Sequence, residues 1–428
     1  MKALIVSCVY PPEPVVSAQT SAQIAAALAS QGNEVTVITN FPNRPAGKIA
    51  SGYHRRLYQA ETPAPNYRIV RCFTTVAPRS GMLSRLAENL SFGITSGLAV
   101  LFGKRPDVIY ANTWPIFAQG LLSLVAHARR VPLVLSIQDI YPESLIAQQR
   151  IKPTSRIARA LHWLDRRIVR GCAAVVVISQ RFAEVYATSR DVPRDRLHVV
   201  PNWIDENSVT PGEKMNDIRR RYGIPEHAFV MAYGGNIGMA SGIETVIEAC
   251  GLLCEDERIY LLVAGAGSQL AACRDRAARL SNPRIVFHTP WLAGETSEVL
   301  AAADALVLPT RGSQSLASVP SKLITYMLAE RPVLALALPD SDVEATIREA
   351  DCGWVIAPDE PMRLAATIRE IASLDPLETR RLAADGRAYA LQKLTRAANV
   401  RRVVEILERT GGRAVSSCRR GSNEPEIT

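Results

Sequence analysis

The sequence has 428 residues, more than one ordinary hydrophobic core accommodates, and this length predicts two domains of about 200 residues each. Hydrophobic residues make up 47% of the chain and charged residues 21%, and the mean hydropathy is +0.03, values that exclude a disordered chain and predict a soluble globular protein. The net charge of +9 suits an anionic lipid surface or a phosphate-bearing substrate. Nucleic acid is not expected as a partner, because aromatic and basic residues are not interleaved and no nucleic-acid-binding motif is present.

The eight cysteines are scattered and none forms a CxxC pair, so we expect reduced, buried thiols in a cytosolic protein. The apolar N-terminal run leads directly into Tyr10-Pro-Pro-Glu-Pro14 without a small-residue cleavage site, which favours a first strand over a signal peptide. No apolar run reaches the ~20 residues of a membrane-spanning helix. The nearest, at 89–103, is typical of a helix that is buried or lies at a membrane surface.

The first half alternates short apolar runs with helical segments. Strands are predicted at 3–9, 34–39, 68–72, 108–111, 133–137, 174–178 and 197–200. Helices predicted between them include 18–30, 115–128 and 180–188. Buried strands separated by helices indicate a parallel, doubly wound α/β sheet. The pattern breaks at Pro201-Asn-Trp-Ile-Asp205, and we therefore place the first domain at 1–202.

The alternation starts again in the second half. Strands are predicted at 229–233, 260–264, 284–287, 305–308, 333–335 and 354–356, and helices at 361–374, 377–394 and 396–408. We place the second domain at 203–390, a C-terminal helix at 391–410 and a disordered polar tail at 411–428. Because ligands bind at the carboxyl ends of strands in such sheets, two sheets predict a cleft between two domains and give functional weight to the loops after strands.

The most informative of these loops is Tyr233-Gly-Gly-Asn-Ile-Gly-Met-Ala-Ser-Gly242, between a predicted strand and a helix start. Glycines there let backbone amides approach an anion at the positive end of a helix. The alternative is a glycine turn that serves only tight strand-to-helix packing.

A second loop, from Pro309 to Lys322, is rich in serine and glycine and also enters a helix. Its amides and hydroxyls, with Ser321 and Lys322 at the helix start, are suited to a phosphate. A solvated lysine is the alternative, but a cation is disfavoured at a helix start, and this favours a functional role. Trp291 is interpreted either as the wall of a nucleobase pocket or as core.

In the first half, the loop after the second strand presents Asn43, Arg44 and Lys48 between prolines, unless it is only a stiffened surface loop. Another loop places Asp139 and Glu143 four residues apart, where one could hold an acceptor hydroxyl or act as a base. Helix capping is the alternative, and it suits Glu143 better than Asp139. No metal-binding cluster is visible, and the six histidines are not closely paired, so no metal is expected.

Residues 156–170 carry several arginines and an apolar face marked by Ile157, Leu161, Leu164 and Ile168. They predict either a surface helix packed on the core or a basic amphipathic helix against anionic headgroups.

These motifs, in this order over residues 1–410, resemble glycosyltransferase family 4 of the GT-B fold, and within it the branch for bacterial capsule, O-antigen and colanic-acid assembly, including L-fucosamine-transferase-like members. The resemblance rests on seven motifs, which are Tyr10-Pro-Pro-Glu-Pro14, Gly32-Asn-Glu-Val-Thr-Val-Ile-Thr39, Phe41-Pro-Asn-Arg-Pro-Ala-Gly-Lys48, Asp139-Ile-Tyr-Pro-Glu-Ser144, Pro201-Asn-Trp-Ile-Asp205, Gly234-Gly-Asn-Ile-Gly238 with Gly242, and Pro320-Ser-Lys-Leu323.

The resemblance implies two Rossmann-like domains facing across a cleft, with C-terminal helices returning to the first domain. It implies a retaining transferase that needs no metal or other cofactor and uses a nucleoside-diphosphate sugar, with UDP favoured over GDP as the carrier. The acceptor would be a lipid-diphosphate-linked saccharide. The protein would be cytoplasmic and peripherally bound to the anionic surface of the inner membrane.

The candidate site residues combine the resemblance with the loops described above. The implied catalytic residues are Asp139 and Lys322. The implied donor-binding residues are Gly234, Gly235, Asn236, Gly238, Ser241, Trp291, Ser321, Lys322 and Thr325. The implied acceptor-binding residues are Val16, Ser17, Asn43, Gln138, Asp139 and Glu143.

The chain also departs from the wider family. Asn236 and Ser241 stand where the family has an arginine and a lysine, and Ala317 and Thr325 stand where it has two glutamates. Val16 replaces a glycine, and Gln138 replaces a histidine. These departures leave two alternatives open, a degenerate, non-catalytic GT-B protein and another GT-B enzyme such as a sugar-nucleotide epimerase.

Overall fold

The computed structural model describes residues 1–13, 15–44, 47–77, 81–112, 116–147, 150–239, 241–312, 316 and 321–420. The chain forms two compact units. The first consists of Met1–Pro201 together with the chain from Asn399 onward, and the second of Asn202–Ala398.

The first unit contains one eight-stranded sheet. Its strands are β1 (Lys2–Val6), β2 (Glu34–Asn40), β3 (Tyr58–Ala64), β4 (Tyr67–Cys72), β5 (Val108–Asn112), β6 (Leu133–Ile137), β7 (Ala174–Val177) and β8 (Leu197–Val199). They lie in the order β3-β4-β2-β1-β5-β6-β7-β8, and every neighbouring pair is parallel except β3 with β4. The predicted doubly wound α/β sheet is therefore confirmed.

The sequence prediction missed β3. This strand lies at the edge of the sheet and pairs only with β4, and none of its residues is fully buried. An edge strand without a buried face has no need for alternating apolar residues, so its sequence lacks the pattern that identifies strands.

Helices cover both faces of this sheet. They are α1 (Val16–Ser30), α2 (Met82–Phe102), α3 (Ile116–Ala128), α4 (Glu143–Ala147), α5 (Arg156–Arg170) and α6 (Gln180–Ser189). The central helix of one layer, α3, packs against both α2 and α5. Gly93 lets α2 approach α3 closely, since a Cβ at this position would lie 2.8 Å from Ala118 Cα in α3.

The second unit contains a six-stranded, wholly parallel sheet. Its strands are β9 (Phe229–Gly234), β10 (Ile259–Ala264), β11 (Ile285–His288), β12 (Ala305–Pro309), β13 (Val333–Leu336) and β14 (Gly353–Ile356), in the order β11-β10-β9-β12-β13-β14. The helices of this half are α7 (Asp217–Arg221), α8 (Ile243–Gly251), α9 (Leu270–Arg279), α10 (Thr296–Ala301), α11 (Lys322–Leu328), α12 (Asp342–Ala350), α13 (Pro361–Ala372) and α14 (Pro376–Lys393). The strand order reverses between β9 and β12, which makes this pair the topological switch point.

The final helix, α15 (Arg396–Arg420), differs from the sequence prediction. A helix was expected at 391–410 and a disordered tail from 411, because the sequence after 410 is polar and rich in glycine and serine. The helical backbone instead continues through 411–420, and 421–428 lie outside the described residues. Gly411 allows the helix to pack against the first unit, since a Cβ there would lie 2.7 Å from the sulfur of Met1.

The structure describes the side chains of seven of the eight cysteines, and all seven are free thiols. Six are buried as expected, but Cys254 is exposed. None of the helices formed by the described residues has the length and apolar content needed to span a bilayer.

Candidate functional site

The switch point of the second unit brings together the two loops singled out in the sequence. The glycine turn follows β9, and the serine-rich loop follows β12, which pairs with β9 through Leu306 and Ala232. The carboxyl ends of both strands therefore lie side by side, where doubly wound sheets bind ligands. Residues 240, 313–315 and 317–320, which include Ala317, lie outside the described residues.

Lys322, the first residue of α11, lies against the glycine turn. Its ammonium donates a hydrogen bond to the hydroxyl of Tyr233 and lies 4.3 Å from the centroid of that ring. Gly235 provides the space, since a Cβ there would lie 2.2 Å from Lys322 Cε, and its φ of 152° disfavours other residues. Burial lowers the pKa of Lys322 to about 8. A partly dehydrated ammonium gains strongly from an anion at this point.

Tyr233 is a site residue that the sequence prediction missed. Its side chain is fully buried, and its hydroxyl accepts from Lys322 and donates to the carbonyl of Asn236 at 2.7 Å. The phenol thus connects the lysine to the turn. At the end of a buried strand a tyrosine is easily interpreted as core, and its position directly before the glycines was the only available signal.

Some backbone N–H groups of the glycine turn donate hydrogen bonds within the protein, and others have no acceptor among the described residues. The N–H of Gly234 donates to the Tyr326 hydroxyl at 3.0 Å, and that of Gly235 donates to the carbonyl of Ala264 at 3.0 Å. Neither amide is available to a phosphate, contrary to the expectation for these two glycines. Among the residues described, no acceptor is found for the N–H groups of Asn236 and Gly238. Amides for an anion therefore come from the part of the turn after Gly235.

The remaining polar side chains of the turn and of α11 make local contacts. The Ser241 hydroxyl donates to the Gly238 carbonyl at 2.8 Å, which closes the turn before α8. Ser321 precedes Lys322 without capping the helix through its side chain. The Thr325 hydroxyl donates to the Ser321 carbonyl at 3.4 Å, one helical turn away. Ser321 and Thr325 thus lie close to Lys322, as the sequence predicts.

Trp291 packs against the hydrophobic core of the second unit. Its ring lies on Gly234, where a Cβ would be 3.1 Å from the ring edge. This is the arrangement expected for the core alternative. The indole N–H is buried and has no hydrogen-bond acceptor within the described part of the chain, so one donor is left over at this edge of the sheet.

A buried histidine anchors the segment that carries Trp291. His288 Nδ1 lies 3.1 Å from the Tyr222 hydroxyl, and Nε2 lies 3.1 Å from the Glu295 carboxylate. The Leu292 N–H and His288 together lower the pKa of Glu295. This network fixes the loop after β11, and the sequence prediction did not identify it because its members are spread over 222–295.

In the first unit, Glu13 connects the loops after β1 and β2. Its buried carboxylate accepts from the N–H of Asn43 at 2.9 Å and of Arg44 at 3.1 Å, and burial raises its pKa. Asn43, expected to contact the acceptor, is itself buried and donates its side-chain amide to the carbonyl of Phe41. The structure thus gives Asn43 a contact within its own loop.

The start of α1 holds two further predicted acceptor residues. The helix begins at Val16, whose side chain lies outside the described atoms. Ser17 is half-buried, and its carbonyl lies 3.5 Å from the side-chain amide of Asn112 at the end of β5. Ser17 therefore lies near the switch point of the first sheet, between β1 and β5.

Asp139 lies in the loop after β6, two residues beyond the end of the strand. Among the described residues its carboxylate has no hydrogen-bond or ion-pair partner, and burial raises its pKa. It does not cap α4, which begins only at Glu143. Its neighbour Gln138 donates to the Ser136 hydroxyl at 3.3 Å. The capping alternative is thus not seen for Asp139.

Glu143 has a clear structural role. It lies in the first turn of α4 and accepts from Arg190 at 2.6 Å. Arg190 is 1% exposed and also donates to Asp165 at 3.0 Å and to the carbonyl of Tyr141. Burial, opposed by Arg190, raises the pKa of Asp165 to about 6. This ion-pair network joins α4, α5 and the end of α6, and the sequence prediction missed it.

The protein families that match this chain divide it in the same way as the two units. Residues 17–203 match the family described as glycosyl transferase 4-like domain, and residues 228–373 match glycosyl transferases group 1. The chain is a GT-B glycosyltransferase. The HepE protein of Anabaena, solved in complex with UDP, shares the fold over 95% of this chain and 100% of its own, with a TM-score of 0.68 at 16% identity.

Two curated bacterial relatives are also named as glycosyltransferases, and the name of one of them refers to a polysaccharide. WbjE of Pseudomonas aeruginosa, named as a glycosyltransferase, is 28% identical over 305 residues, which cover 70% of this chain and 75% of the relative. WcaI of Escherichia coli K12, named as a colanic acid biosynthesis glycosyl transferase, is 26% identical over 334 residues, which cover 76% of this chain and 81% of the relative.

Proposed function

We propose that this glycosyltransferase moves a sugar from a nucleoside-diphosphate sugar to a saccharide acceptor in bacterial surface polysaccharide synthesis, with retention of anomeric configuration. The observation that carries the proposal is the position of Lys322. Its partly dehydrated ammonium lies against Gly235 at the switch point of the second sheet, where a diphosphate has access to both charge and amides.

The donor site is built around that lysine. The diphosphate is bound by the ammonium of Lys322 and by the N–H groups of Asn236 and Gly238, which have no acceptor among the described residues. Charge-assisted hydrogen bonds to phosphate oxygens are strong. UDP is favoured as the carrier, and the complex of HepE with UDP supports this choice. In this proposal Lys322 takes the part that a divalent cation plays in other transferases, so no metal is required.

The acceptor is activated in the first unit. The acceptor hydroxyl attacks the anomeric carbon from the same face as the departing diphosphate, whose charge Lys322 stabilises. Asp139 holds the acceptor hydroxyl or takes its proton, and its burial and lack of a partner among the described residues support this role. The departing diphosphate is the alternative base.

The acceptor we propose is a saccharide linked to a lipid diphosphate. The colanic acid biosynthesis in the name of WcaI supports a saccharide acceptor. The net charge of +9 supports its presentation at an anionic membrane surface. The enzyme then works in the cytoplasm, peripherally bound to the inner membrane.

A donor panel with membrane-extracted acceptor tests the proposal. We expect calorimetric binding of one nucleoside diphosphate, hydrolysis of its sugar conjugate, and transfer of the sugar to the extract. Failure to bind any nucleoside diphosphate would overturn the proposal and favour the non-catalytic alternative. Binding followed by interconversion of the free donor, without transfer, would favour an epimerase.

A further inference from the structure

The outer face of α2 is an exposed apolar stripe. Six large apolar side chains, 39–82% exposed, recur along it at helical spacing, and these are Leu83, Leu90, Ile94, Leu98, Leu101 and Phe102. The opposite face of the same helix buries Phe92, Ser96 and Val100. A surface helix of a soluble domain normally presents polar residues outward, so this stripe indicates an interaction surface.

The stripe continues across the neighbouring helices. Leu124 of α3 is 68% exposed, and Ile157 and Trp163 of α5 are 57% and 64% exposed. Because α3 packs against both α2 and α5, these side chains extend one surface over the three-helix layer. Of the apolar face predicted for this helix, Leu161 and Ile168 are buried as the core interpretation expects, whereas Ile157 is exposed.

The residues directly before β3, the strand that the sequence prediction missed, add basic side chains to the edge of this surface. The Tyr58 hydroxyl donates to the carbonyl of Thr95 in α2 at 3.0 Å, which fixes the start of β3 beside the stripe. Leu57 and Tyr58 are exposed there, directly after His54-Arg55-Arg56, whose side chains are exposed as well.

The charges of the layer are almost all positive. The sequences of α2, α3 and α5 together contain six arginines and only two acidic residues. Both acids have arginine partners within the unit, Glu88 with Arg44 at 3.0 Å and Asp165 with Arg190 at 3.0 Å. On α5, Trp163, Arg166, Arg167 and Arg170 line a surface cavity of about 400 Å³.

We propose that the outer surface of α2, α3 and α5, with residues 54–58, docks on an anionic phospholipid bilayer. Exposed leucines, phenylalanine and tryptophan enter the boundary between headgroups and acyl chains, while the arginines contact lipid phosphates. A second copy of the chain fits less well, because a two-fold contact would bring the same arginines of both copies together. The docking rests on the proposed function in one respect, which is its purpose of bringing the enzyme to the lipid-linked acceptor.

Vesicle sedimentation of the full-length protein tests the docking. The probes are vesicles of phosphatidylethanolamine and phosphatidylglycerol in a three-to-one ratio, and vesicles of phosphatidylcholine alone. The wild type is expected to sediment with the anionic vesicles at low salt and to remain largely in solution with the neutral ones. The triple variant Arg159→Gln, Arg167→Gln, Arg170→Gln is expected to bind about a hundredfold more weakly.

The apolar contribution needs its own variant and control. Ile94→Asp with Leu98→Asp changes only exposed positions of α2 and is expected to weaken vesicle binding at least about tenfold. Leu377→Asp in α14 changes a still more exposed leucine, in the second unit, and is expected to leave vesicle binding unchanged. Far-ultraviolet circular dichroism and UDP affinity check that each variant is folded.

Several outcomes would overturn the docking. These are a wild type that stays in solution with anionic vesicles, equal losses in Leu377→Asp and the α2 variant, or a stable dimer by light scattering that the α2 variant dissociates. UDP binding is measured separately on the same protein. Vesicle binding without UDP binding would therefore contradict the proposed enzyme and keep the docking, whereas the reverse would contradict the docking alone.

Discussion

Lys322 places a positive charge beside a glycine turn that has none of its own. The turn has Asn236 and Ser241 where the wider family has basic residues, and the structure brings in a lysine from 89 residues further along the chain. The positive charge comes from a distant position in the sequence, but in the folded chain it lies at the switch point of the second sheet. On this account, the departure in the turn does not by itself indicate a degenerate enzyme.

The pH dependence of donor binding follows from the same residue. Because burial lowers the pKa of Lys322 to about 8, raising the pH from about 7 to about 9.5 removes the charge that the diphosphate needs. We expect UDP affinity, measured by calorimetry, to fall over this range. The stability of the protein without UDP should change in the opposite direction. Between pH about 8 and the ordinary lysine pKa, the unfolded chain binds a proton at Lys322 that the folded protein has lost, so the free energy of unfolding rises with pH. A flat affinity profile would contradict the role of Lys322.

Asp139 and Glu143, four residues apart, are expected to give opposite phenotypes. Asp139→Asn removes a base or hydroxyl acceptor and should lower transfer by about a hundredfold or more, with a nearly unchanged melting temperature. Glu143→Gln weakens the pair with buried Arg190 and should lower the melting temperature. Steady-state transfer and thermal melting distinguish the two. A destabilised Asp139→Asn protein with normal kinetics would restore the capping interpretation.

At the scale of elements, the Arg190 network joins three segments that the hydrophobic pattern alone does not fix. The guanidinium contacts Glu143 of α4, Asp165 of α5 and the Tyr141 carbonyl. Removing one partner from a buried ion pair leaves the other charge uncompensated, and that is far more costly than losing an exposed pair.

Two arginine variants near the end of α6 test this difference. Arg190→Met should lower the free energy of unfolding by about 3 kcal/mol or more, because Asp165 is left buried and unpaired. Arg194→Met removes an exposed pair with Glu184 and should change it by about 1 kcal/mol or less. Urea denaturation measures both. Equal effects would mean that the buried network does not stabilise the fold.

The strands of both sheets were predictable from the sequence because parallel strands buried on two faces form continuous apolar runs. The loops of the site were predictable for the same reason, since they follow those strands. By contrast, β3 was missed because an edge strand has no buried face. The contacts of Lys322 with Tyr233 and of Arg190 with Asp165 were missed because they join residues far apart in sequence, and only the topology brings them together.

At the scale of the whole molecule, the end of the chain stabilises its beginning. From Asn399 onward α15 belongs with the first unit, and its residues Val403, Val404 and Leu407 are almost completely buried. Folding of the first unit therefore needs residues that are synthesised after the second unit, which couples the two units through chain connectivity.

A single substitution in α15 tests this coupling. Leu407→Ala should destabilise the first unit by about 2–5 kcal/mol, the usual cost of emptying a buried leucine site. UDP affinity at low temperature should stay at the wild-type value, since the donor site lies in the second unit. Arg409→Ala, at an exposed position of the same helix, is the control. Thermal melting unaffected in both variants would show that α15 does not support the first unit.

The central claim is that the second unit binds a nucleoside diphosphate through Lys322, and calorimetric titration with UDP tests it most directly. The wild type should bind, and Lys322→Gln should bind roughly tenfold to a hundredfold more weakly, because a charge-assisted hydrogen bond contributes about 1.5–3 kcal/mol. Lys393→Gln, the same substitution at a half-exposed lysine of the same unit, should bind as the wild type does. Equal UDP affinity in wild type and Lys322→Gln would contradict the account.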